Sequence, residues 1–108
     1  MRRTDLVRER AEAERRLETL AADLAAVKQA SEGSNADDEH DPEGATIAFE
    51  REQLSALVRR ARQRVLDLDA ALHRLDAGTY ARCRTCGSTI PTERLEALPA
   101  TQTCRDCA

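Results

Sequence analysis

Leu6, Ala13, Leu17, Leu20, Leu24 and Val27 recur in steps of four and three once Arg10 is counted as a polar interruption. That spacing lines the side chains along one narrow stripe of a helix, as on the seam of a coiled coil. Glu9, Glu12, Glu14, Arg15, Arg16 and Glu18 occupy the other faces. The pattern predicts a helix over residues 4–31. Ser31-Glu32-Gly33-Ser34-Asn35 ends it with poor helix formers and a glycine.

A second stripe follows: Ile47, Leu54, Leu57, Ala61, Val65, Leu68, Leu72 and Leu75. Its helix should start at Pro42, since proline suits the first helical position, where its missing N–H is not needed. Asp41 is a good N-cap, and Gly78 supplies the stop. Two successive four-residue steps, Leu57 to Ala61 to Val65, read as a stutter that relaxes supercoiling locally. The helices would be roughly 42 Å and 54 Å long at 1.5 Å per residue. Neither is stable alone with so narrow an apolar face. Joined by the polar turn 33–41, they should pack as an antiparallel hairpin.

Composition narrows the fold class to mainly α. The 108-residue chain has no Trp, one Tyr and one Phe, so it lacks the aromatics that usually fill a large globular core. Its 34% of charged residues and its Leu and Ala content suit long amphipathic helices. The net charge of -3 gives no global attraction to nucleic acid. No run of 18 apolar residues is present to span a membrane. The first residues lack the apolar stretch of a secretory signal, so a cytoplasmic, reducing location is the expectation. Charge is segregated: residues 29–44 hold six acids and no Lys or Arg, a net of -6, whereas the rest of the chain is slightly basic. The acidic excess therefore falls at the turn of the hairpin.

The four cysteines lie in the last 30 residues. Cys83-Arg84-Thr85-Cys86 and Cys104-Arg105-Asp106-Cys107 are two C-x2-C knuckles separated by 17 residues. Two intervening residues let both sulfurs of a knuckle face one centre, and two such knuckles form a four-thiolate zinc site. Four thiolates leave no open coordination position, so such a zinc ion is structural. No βαβ pattern surrounds either knuckle, which argues against a redox C-x-x-C. An iron–sulfur cluster also accepts four cysteines, but paired knuckles on so short a segment favour one Zn²⁺ held by Cys83, Cys86, Cys104 and Cys107. The segment is too small to fold without such a staple.

Gly78-Thr79-Tyr80-Ala81-Arg82-Cys83-Arg84-Thr85-Cys86-Gly87, Ile90-Pro91, Arg94-Leu95-Glu96-Ala97-Leu98-Pro99 and the second knuckle together resemble the DksA/TraR family of zinc-finger transcription regulators. The resemblance is dense over about 30 residues and architectural toward the N-terminus. It implies a coiled-coil hairpin over 1–78, with an acidic tip at 33–44, and a C4-type finger over 79–108. It also implies a bacterial regulator that binds RNA polymerase and inserts the hairpin tip into the secondary channel. Tip acids then act near the catalytic magnesium, often together with ppGpp. Sequence-specific DNA binding is not expected, and a monomer is. Tip residues singled out for the partner are Asp37, Asp38 and Asp41. The family's tip often reads Asp-x-x-Asp-x-Ala. Asp41-Pro42-Glu43-Gly44-Ala45-Thr46 keeps the first Asp but has Gly44 and Thr46 at the other two positions.

Other residues have plainer readings. His40 and His73 should be solvated. Tyr80, Ile90, Leu95 and Leu98 should pack the finger against the hairpin base. Arg82, Arg84, Arg94 and Arg105 give the finger a basic face for polymerase acids or solvent. A zinc-finger DNA-binding protein is disfavoured by a pI near 5.4. A dimerising coiled-coil adaptor is the other alternative. No nucleophile arrangement or phosphate loop suggests an enzyme.

Overall fold

In a computed structural model, which describes residues 2–33 and 42–108, the elements run α1 (Arg3–Gly33), α2 (Pro42–Asp76), α3 (Thr92–Ala97) and a 3-10 turn at Arg105–Cys107. The fold is mainly helical, as the stripes require, and α1 and α2 pack against each other. An isolated antiparallel bridge joins Arg82 and Thr89, and no strand occurs among the described residues. No described helix is long and apolar enough to cross a membrane. The chain forms two compact units, Glu14–Gln63 and a second built from Met1–Ala13 together with Arg64–Ala108.

In the two-segment unit, Arg3 Nε meets Asp76 Oδ1 at 3.1 Å, and Arg10 pairs with Asp69. Seven residues forward on α1 thus correspond to seven backward on α2, an antiparallel heptad register. Arg10, the polar interruption of the stripe, is tolerated because its guanidinium sits at the edge of the seam, half-exposed, with a carboxylate opposite. Leu6, Leu68 and Ala71 are fully buried. They form one core with Ala13, Tyr80, Cys83, Ile90, Leu95 and Cys104, against which Val65, Leu72, Leu75 and Ala100 pack. The 30-residue finger segment therefore completes its apolar interior with leucines from both helices.

In the unit Glu14–Gln63, Val58 and Ala61 are buried, and Leu17, Leu20, Leu24, Val27, Ile47, Leu54 and Leu57 are half-buried. Val58 corrects the expected stripe. Its burial gives α2 the unbroken series 54, 58, 61, 65, 68, 72, 75, with alternating steps of four and three. The expected stutter is absent: Leu57 flanks the seam and lines an open groove with Asp23, Ala26, Val27, Glu50, Gln53 and Leu54. α1 continues to Gly33, two residues beyond the expected end.

The end of α2 is set by backbone chemistry. Gly78 has φ +78°, and Thr79 N–H donates to Arg74 O at 2.9 Å while Gly78 N–H donates to Leu75 O at 3.1 Å. This pair is the Schellman arrangement, which caps two terminal carbonyls and turns the chain out of the helix. Glycine occupies the left-handed position without the Cβ clash that other residues meet there.

Candidate metal centre

The turn at Gly78 feeds straight into the first knuckle. Ile90 N–H donates to Ala81 O at 2.7 Å and Cys83 N–H to Ser88 O at 2.8 Å, closing a short antiparallel loop. Within it, Gly87 N–H donates to Cys83 O at 2.9 Å, and Gly87 has φ +76°. The glycine directly after the knuckle thus turns the chain back, as its position suggested. The second knuckle is the 3-10 turn, closed by Cys107 N–H to Cys104 O at 3.2 Å.

These two turns face each other. The Sγ atoms of Cys83, Cys86, Cys104 and Cys107 all lie within 4.8 Å of one another, and Cys86 Sγ is 3.6 Å from Cys104 Sγ. Tetrahedral Zn–S bonds of about 2.3 Å place sulfurs about 3.8 Å apart. The donor set therefore has the number, the element and nearly the spacing that one zinc ion requires. Cys83 and Cys104 are buried, Cys107 is half-buried and Cys86 is exposed.

The thiols differ in acidity for local reasons. Backbone hydrogen bonds, first from Cys86 and then from Cys104, hold the Cys83 thiol down at about 6. Ser88, through its side chain and then its amide, lowers Cys86. Cys107 is pushed up to about 12, chiefly by sharing its proton with the Cys104 sulfur and then the Cys86 sulfur. Four crowded sulfurs cannot all ionise without a cation among them. A divalent ion relieves this repulsion.

The sequence reading holds at several surrounding positions. Tyr80, Ile90 and Leu95 are buried in the shared core, and His73 is exposed. Leu98 is a correction: it is 49% exposed. α3 ends at Ala97, and the chain turns at Leu98, whose N–H caps Arg94 O, so the side chain faces outward while Pro99 takes the buried place. Of the finger's arginines, Arg82, Arg84 and Arg105 are exposed, as a basic face requires, and Arg84 Nη1 also donates to Gln102 Oε1 at 3.3 Å. Arg94 is the correction: it is half-buried, and its Nε donates to Thr103 O at 2.9 Å, binding the finger's own loop. Asp37, Asp38, Asp41 and His40 lie outside the described residues.

Residues 78–108 match the model of the prokaryotic dksA/traR C4-type zinc finger. The uncharacterized protein YteA of Bacillus subtilis is 41% identical over 66 residues, which are 61% of this chain and 28% of YteA. The RNA polymerase-binding transcription factor DksA of Haemophilus influenzae is 35% identical over 69 residues, 61% of this chain and 48% of that protein. The chain thus matches less than half the length of either curated relative. The structure of transcription factor DksA2 from Pseudomonas aeruginosa superposes with a TM-score of 0.80 at 25% identity, covering 97% of this chain and 75% of that one.

Proposed function

The chain is a member of the DksA/TraR zinc-finger family, and from that premise we propose that it is a transcription regulator that binds RNA polymerase directly. The observation that carries this reading is a fold shared with DksA2 over nearly the whole chain, combined with the family's own finger. The acidic turn of the hairpin, with Asp37, Asp38 and Asp41, enters the secondary channel and brings carboxylates to the magnesium-bearing centre. Carboxylates there compete for the metal's oxygen ligands or oppose substrate phosphate. In this reading ppGpp joins their action in the manner of the family, and the protein acts as a cytoplasmic monomer.

Cys83, Cys86, Cys104 and Cys107 hold one structural zinc ion. When bound, zinc crosslinks the two knuckles. The chain's own contribution is to set the turns, supply partly ionised sulfurs, and seat the finger on the leucines of both helices. With four sulfur ligands the ion has no position left for substrate, so the centre shapes a docking surface and catalyses nothing.

The test is retention of the full-length, zinc-loaded protein on purified polymerase core without DNA. The wild type is expected to be retained. A triple variant, Asp37→Asn, Asp38→Asn and Asp41→Asn, should keep most binding and lose its effect on initiation in a transcription assay. No retention on polymerase, or retention on duplex DNA instead, would reject the reading. An unchanged transcription effect in the triple variant would reject the role of the tip.

A further inference from the structure

The loop between α3 and the second knuckle contains no regular structure, yet its backbone is tied at every step. Tyr80 Oη donates to Pro99 O at 2.8 Å. Arg74 Nη2 donates to Thr101 O at 3.2 Å and, more weakly, to Ala100 O at 3.4 Å. Arg84 N–H donates to Gln102 O at 2.9 Å, and Arg94 Nε to Thr103 O at 2.9 Å. Consecutive carbonyls from Pro99 to Thr103 are thus held by donors from α2, the turn after it, the first knuckle and α3. The next residue is Cys104.

Arg74 is the donor among these that comes from a long helix. It sits half-buried in the last turn of α2, where its own carbonyl accepts the Thr79 N–H of the Schellman arrangement. Its Nε is buried with no hydrogen-bond partner among the described residues. Burial lowers its pKa from the usual arginine value. A side chain kept there only for packing would be apolar. A donor is needed because the carbonyls of Ala100 and Thr101 face the helix end.

We propose that Arg74 is a positioning residue for the metal centre: by tying Ala100 and Thr101 to the end of α2, it pre-sets the second knuckle opposite the first, so that four sulfurs converge before the ion arrives. The proposal rests on the reading that these sulfurs hold zinc. Groups that orient metal ligands typically change affinity by about 10–100-fold when removed. The expected loss lies in that range, although Arg74 touches no sulfur.

The experiment compares the full-length zinc protein with Arg74→Met, Arg74→Lys and Arg82→Met. Zinc affinity is read by competition with a chromophoric chelator, and cobalt substitution reports sulfur ligation by its thiolate charge-transfer band. Methionine keeps the apolar stem and removes the donors. Arg74→Met should weaken zinc by about 10–100-fold, while its saturated cobalt spectrum stays that of four sulfurs. Lysine keeps a donor but falls one bond short, and should recover part of the loss. Arg82→Met removes the same charge beside the first knuckle and should leave affinity within about twofold of the wild type. Wild-type affinity in Arg74→Met overturns the proposal and leaves the zinc reading intact, as does an equal loss in Arg82→Met. A wild-type cobalt spectrum without four-sulfur character would instead overturn the zinc reading itself. If Arg74→Met loses the helical signal, Arg74→Lys decides: a partial loss of affinity with helices intact supports the proposal, and wild-type affinity overturns it.

Discussion

Leu66 and Leu68 lie two residues apart on α2, share chemistry and helix propensity, and differ in burial: 55% exposed against 0%. Replacing each by alanine therefore isolates the worth of the shared core. Leu68 packs among Leu6, Ala71, Tyr80, Ile90 and Leu95, residues from both helices and the finger. Those neighbours are fixed by the helix register, the Tyr80 hydrogen bond and the two knuckles, so they cannot close over the missing atoms. Leu→Ala at such sites costs about 2.7–5 kcal/mol, rising with the cavity left behind. A loss of about 3 kcal/mol is expected for Leu68→Ala, within the lower half of that range. This is a large share of the roughly 5–15 kcal/mol that stabilises ordinary domains. The melting temperature should fall by roughly 12 °C or more, at about 4–8 °C per kcal/mol for units of this size. Leu66→Ala should stay within about 0.5 kcal/mol of the wild type. The assay is thermal and urea unfolding followed by the helical circular-dichroism signal, with zinc in fixed excess because bound ligand shifts apparent stability. Equal costs for the two variants, or a cost below about 1 kcal/mol for Leu68→Ala, would refute a finger seated on the helix leucines.

Zinc should bind more tightly as pH rises. In the metal-free protein Cys107 keeps its proton up to about 12, whereas Cys83 is already ionised above about 6. Near neutral pH the entering ion must therefore expel at least the Cys107 proton. Titration calorimetry in two buffers of different ionisation enthalpy should find at least one proton released per zinc, and none released would refute the ordering. Gly78→Ala tests the helix stop: no atom lies within 4 Å of the position a Cβ would take, so the cost is backbone strain alone. It should be about 1–2 kcal/mol, with Gly78→Asn recovering part of it, and an unchanged melting temperature would show that the left-handed turn does not set the end of α2.

How far the sequence revealed this arrangement depended on range. The helix starts and stops were legible because Pro42 and Gly78 act within one turn of the chain. The four-sulfur site was legible because each knuckle is a three-bond problem repeated twice. Val58 was missed because it and Leu57 both fit a helical stripe, and only the partner helix decides which one enters the seam. Leu98 was misplaced because exposure there follows from the turn that ends α3, a tertiary event. Arg74 offered no local sign at all, since its acceptors lie 26 and 27 residues away. Arg94 of the finger looked like surface charge for the same reason: the Thr103 carbonyl it binds leaves no mark in an amino-acid sequence.

One compact unit draws on both the first 13 residues and the stretch from Arg64 onward. On the ribosome these arrive at different times. At roughly 5–20 residues per second, Leu68 is polymerised about 3–12 s after Leu6. Throughout that interval the first turns of α1 have their apolar stripe uncovered, and they are accessible to nascent-chain chaperones or to another emerging copy. Closure of this unit therefore waits for the stretch from Arg64 onward and does not proceed vectorially along the chain.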